Sequence, residues 1–164
     1  MALVVIGFIV FSRPSPAVGE AVAVMPRSNH VPEGSDPSPY STDPPTSGPH
    51  YADELDAGFY NEGDEQRPFP AGYLVHNLEH GYVIIWYNCA QLNEQACSDL
   101  KTQIQSVMDQ ANNFKVIAFP WDSIDVPVVM TSWGRIQKFD AFNSEQALEF
   151  VKSNRNKAPE PNAP

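Results

Sequence analysis

The chain has 164 residues, enough for one domain with flanking segments and a sizeable buried core. Apolar residues make up 42% and charged residues 18%, a globular balance that argues against general disorder. Acidic residues outnumber basic ones 20 to 10, and the formal net charge of −10 excludes nucleic acid as a partner and favours cations.

Ala2 to Phe11 (ALVVIGFIVF) is an unbroken apolar run followed by Ser12, Arg13 and Pro14. It is about half of the ~20 residues that a membrane span needs and has the length of a signal-peptide core, although no Lys or Arg precedes it. Residues 1–13 are therefore expected to be a signal or anchor segment. Either role puts the remainder outside the cytoplasm, in a periplasm or at a cell surface, and the anchor role also attaches it to the membrane through this segment.

Residues 14–43 are rich in Pro, Ser, Gly and Asp, as in PEGSDPSPYSTDPP. Proline fixes φ and lacks a backbone donor, so this stretch reads as a long irregular linker. His30 and Tyr40, with His50 and Tyr51 soon after it, suggest that its later half lies against a domain surface. The globular domain is expected over 44–156.

Tyr82 to Tyr87 (YVIIWY) is β-branched and aromatic and reads as a buried strand. From about Gln91 to Ala111, Leu92, Ala96, Leu100, Ile104, Val107 and Ala111 recur at helical spacing. Lys115–Phe119, Val126–Trp133 and Arg135–Phe139 are the next candidate strands. A last helix starts near Asn143-Ser144, with Asn143 and Gln146 as its capping signal. The tail 157–164 is expected to be loose. The fold class is thus α+β, a small mixed sheet of about four strands with two main helices packed on it, preceded by the Pro-rich segment.

Cys89 and Cys97 are eight positions apart and form no C-x-x-C pair. In an oxidising compartment they suit a structural disulfide better than a redox or zinc-knuckle role.

The four histidines are the candidate metal ligands. His50 follows Ser47-Gly48-Pro49, His76 and His80 precede Gly81 and the YVIIWY run, and His30 lies in the Pro/Gly-rich approach. Imidazole is a common ligand of copper and zinc, and loop edges beside a rigid strand are where such sites are built. His76 and His80 can share an ion only on a helical turn, since four extended residues span about 13 Å. With Glu79 they spell H-x-x-E-H, the pattern in which two His bind zinc and the Glu activates water. A zinc hydrolase with Glu79 as base is accordingly one reading. Met130 is a minor copper candidate in a strand that suits a core methionine. The leading expectation is an extracytoplasmic copper- or zinc-binding domain using His50, His76, His80 and His30. The alternative is an accessory subunit of a membrane-bound complex, with a membrane-protein partner and structural histidines. Enzymatic activity is not the favoured reading.

Several segments, HVPEG at 30–34, PPTSGPHY at 44–51, VHNLEHGYVIIWY at 75–87 and TSWG at 131–134, together with FDAFNSEQALEFV and the APE at 158–160, resemble the bacterial domain-of-unknown-function family 3105. The resemblance implies an N-terminal membrane segment with the domain on its outer side, and its motifs contain all four histidines. It implies no reaction.

Overall fold

The YVIIWY run forms the strand around which the domain is built. The structure, a computed structural model, describes residues 18–26 and 30–163, so the expected signal or anchor at 1–13 lies outside the described residues. In chain order the elements are β1 (Glu20–Ala21), β2 (Gly58–Phe59), α1 (Ala71–Glu79), β3 (Val83–Tyr87), α2 (Glu94–Gln110), β4 (Val116–Pro120), β5 (Val128–Ser132), β6 (Arg135–Phe139) and α3 (Ser144–Asn154). The fold is α+β. Its mixed sheet has the order β1-β6-β5-β3-β4-β2, with β3 parallel to β4 and antiparallel to β5.

All five residues of β3 are buried because both faces of the sheet are covered. Side chains alternate across a strand, so Val83, Ile85 and Tyr87 join Leu100, Ile104, Val107, Phe150 and Val151 on the side of α2 and α3. Ile84 and Trp86 face the other way, toward Tyr51, Leu55, Tyr73, Leu74 and Leu78. Helices α2 and α3 are amphipathic, each with one buried face. The Asn93 and Asn143 side chains cap them by accepting the backbone N–H of Ala96 and Gln146, each at 2.9 Å. A disulfide joins Cys89, just after β3, to Cys97 in the first turns of α2, with 5.4 Å between the Cα atoms.

Two expectations need correction. Among the described residues the sheet has six strands, not about four, because β1 and β2 add edges of two residues each, too short to show a period. Among the described residues a third helix, α1, joins the two main ones; with nine residues it is too short for its period to stand out in the sequence.

The stretch read as linker makes specific contacts. It supplies β1, which pairs with β6, and the Trp121 indole N–H donates to Asp43 at 2.7 Å. The tail is tied down as well: the Lys115 ammonium donates to the carbonyls of His80, Pro161 and Ala163 at 3.0, 3.1 and 2.7 Å. Burial lowers the pKa of that ammonium. Among the described residues, no helix is long and apolar enough to cross a membrane.

Candidate functional site

The C-terminal end of α1 carries three of the residues of interest. His76, Glu79 and the capping residue His80 stand at i, i+3 and i+4, so a single turn turns them toward one side. The His80 N–H donates to the His76 carbonyl at 3.1 Å, and the two rings lie 4.3 Å apart between centroids. The helical turn required for the pair is present. Gly81 ends it at φ +86°, and a Cβ there would come within 2.8 Å of the Asn156 Cα. Only glycine satisfies both demands.

The other two histidines reach this helix end from separate loops. Tyr51 N–H donates to the Gly72 carbonyl at 3.2 Å, and the Tyr51 ring occupies the space that a Cβ on Gly72 would fill, at 2.3 Å. That close approach sets His50 beside α1. Val31 N–H in turn donates to the His50 carbonyl at 2.9 Å and brings His30 alongside. The 30–35 strap is pinned further by hydrogen bonds from Tyr73 to Glu33 and from Tyr51 Oη to the Ser35 carbonyl. Burial, then the Glu33 bond, pushes the Tyr73 hydroxyl up to about 12.

The rings of His30, His50 and His76 form a triangle with centroid separations of 5.0, 5.1 and 5.2 Å. The ring of His76 therefore approaches all three other histidines. Burial, followed by the neighbouring His80, lowers its pKa, which favours the neutral, metal-competent form. Its Nδ1 is buried with no hydrogen-bond partner.

Donor atoms of His30, His50 and Glu79 all lie within 4.8 Å of one another, close enough to hold one metal ion. Glu79 and His50 are buried, whereas His30 is exposed. The His50 Nδ1–H can only donate to the Gly48 carbonyl, 2.8 Å away, because a carbonyl has no proton to offer. In the neutral ring the lone pair of His50 would then lie on Nε2. Glu79 Oε2 lies 2.9 Å from that nitrogen, yet Nε2 has no hydrogen-bond partner, so the oxygen sits off the direction in which a ring N–H would point.

A second imidazole–carboxylate contact adjoins the first. His80 Nδ1 lies 2.7 Å from Glu54 Oε2, again with neither atom in a directed hydrogen bond. Glu54 is held there by its neighbour Leu55, whose N–H and carbonyl bond the Asn77 side chain of α1 at 3.1 and 2.8 Å.

The structure therefore gathers all four expected histidines but orders them differently. His30, from the Pro/Gly-rich approach, is in the group whose donor atoms converge, whereas His80 leans toward Glu54. Glu79 was legible as part of H-x-x-E-H, but in the role of a base. Glu54 carried no sequence signal. Met130 lies in the core on the α2/α3 side of the sheet, away from the histidines.

No curated protein and no solved structure matches the chain. A family model described as Protein of unknown function (DUF3105) matches residues 30–164, which contain all four histidines together with Glu54 and Glu79, and the chain belongs to that family.

Proposed function

We propose that this domain binds a divalent transition-metal ion outside the cytoplasm through His30, His50 and Glu79, with His76 beside them as a fourth donor or as the neighbour of a bound water. The observation that carries the reading is the His50–Glu79 contact. With His50 neutral, its Nε2 lone pair and a carboxylate oxygen 2.9 Å apart would repel each other unless a cation lay between them. Two ligands of one ion, each at about 2.0–2.1 Å, tolerate that separation. An Nδ1–H···O=C bond on the far side of the ring is also the usual orienting partner of a metal-bound histidine.

Two imidazoles and a carboxylate, with no sulfur among them, suit zinc or copper(II) better than copper(I). In this arrangement Glu79 is a ligand, so the hydrolase reading loses its base. The disulfide accords with an oxidising compartment and supports an extracytoplasmic location.

Metal analysis of the purified full chain after exposure to zinc and to copper(II), followed by gel filtration, tests the reading. We expect at least one tightly held ion per chain. A content no higher than that of a variant with all four histidines changed to Ala would end the proposal.

One observation favours the accessory-subunit reading in addition. Phe69 is 41% exposed in a groove that it forms with Tyr40, Pro70 and Trp121. Large exposed aromatics in grooves mark contact surfaces. If Phe69→Glu left co-purification of membrane proteins from the host unchanged, this second role would be dropped.

A further inference from the structure

The His80–Glu54 pair repeats the geometry of the His50–Glu79 pair. In each, an imidazole nitrogen approaches a carboxylate oxygen within 3 Å, at 2.7 and 2.9 Å, without a directed hydrogen bond. His80 is 8% exposed, so its Nδ1 has little water to turn to. An imidazole buried this far normally has both nitrogens satisfied, and the exceptions call for an explanation. A second carboxylate stands on the other side of the same ring: Glu160 Oε2 lies 3.9 Å from His80 Nε2. A metal-bound histidine commonly has such a group opposite its ligating nitrogen.

From this repetition we propose that a second divalent cation binds beside the first, held by His80 Nδ1 and Glu54 Oε2, with His76 standing between the two ions. The proposal rests on the metal-binding reading above and extends it from one ion to two. His76 is suited to the intermediate place, because its ring lies 4.3 Å from that of His80 and 5.1 and 5.2 Å from those of His30 and His50. Its own Nδ1 is buried without a partner and can turn to either ion.

The two positions differ in strength. The first has two imidazoles and a buried carboxylate. The second has one imidazole and one carboxylate on a half-buried Glu54, with water completing the shell. The Lys115 ammonium, bonded to the His80 carbonyl, adds positive charge close to the second position. The ions should load in sequence, the His50 position first. Paired ions a few ångströms apart hold an anionic group, such as a phosphate or carboxylate, between them, and that is the ligand class this site would take.

The test is a zinc titration of the metal-free full chain, with ions counted by atomic emission after gel filtration and cobalt(II) absorption recorded in parallel. Two ions per chain are expected, the second bound at least tenfold more weakly. Glu54→Ala should lower the count to one, and the remaining cobalt(II) spectrum would show that the variant is folded. A wild-type chain that stops at one ion overturns the second position and leaves the first standing. A Glu54→Ala chain that still binds two also overturns it. A chain that binds none overturns both.

Discussion

His50 Nε2 lies 2.9 Å from Glu79 Oε2, and the ring reaches that place because its other nitrogen is bonded to the carbonyl of Gly48. The pair joins the Gly-Pro turn to the last turn of α1, and both side chains are buried. The first prediction concerns this pair. His50→Ala and Glu79→Ala should each weaken zinc binding by more than the roughly 10–100-fold that loss of an outer-shell partner costs. Competition against a chromogenic chelator gives the measurement. Wild-type affinity in both variants would exclude these residues as ligands.

Gly72 offers a test of the scaffold. A methyl group there would meet three Tyr51 ring atoms at 2.3, 2.6 and 2.7 Å, and Tyr51 is wholly buried. Gly72→Ala should destabilise the domain by about 1–3 kcal/mol, since overpacked cores relax poorly. The displaced Tyr51 should carry His50 with it and weaken metal binding too. Urea unfolding midpoints with and without metal measure both effects, and a midpoint equal to wild type would contradict the packing argument.

The disulfide closes a loop across eight positions between β3 and α2. On the chain-entropy account its removal should cost about 2–3 kcal/mol. A Cys89→Ala/Cys97→Ala double variant should melt at a lower temperature while retaining its metal content, because neither residue is near the histidines. Thermal unfolding followed by circular dichroism decides this, and loss of metal at temperatures where the variant is folded would tie the bridge to the site.

Alkaline pH should loosen the strap that carries His30. The Tyr73 hydroxyl is held up at about 12 against an ordinary 10.0, so the folded state binds that proton more tightly than the unfolded chain does. Its contribution is intact below pH 10 and is lost as the pH rises from there toward 12. Denaturation midpoints taken on either side of pH 10 should fall, and the fall should be smaller in Tyr73→Phe. Equal falls in the two proteins would remove Tyr73 from the account.

Legibility in the sequence followed physical rules that differ from element to element. Strand β3 could be read because five consecutive apolar residues fill both sheet faces, and α2 and α3 because each leaves one face in water. Helix α1 spans only nine residues, too few for its period to stand out, and the turn that joins His76 to His80 went unread with it. The histidines were identifiable as a set by their residue type and Gly/Pro framing. Their order was not, because it depends on long-range bonds such as Val31 N–H to the His50 carbonyl and Asn77 to Leu55. Such bonds leave no local pattern.

The three convergent donors stand at positions 30, 50 and 79, so an ion shared among them would close loops of 20 and 29 residues. A covalent cross-link over loops of that length restricts the unfolded chain by about 3–4 kcal/mol in the entropic account. An ion at this place would act as a removable staple, one that a chelator can open and a disulfide reductant cannot. The first structure to loosen would be the strap from His30 to Ser35, whose attachment to the domain otherwise depends on a few hydrogen bonds. Metal supply would then set how firmly the Pro-rich approach is held to the folded body.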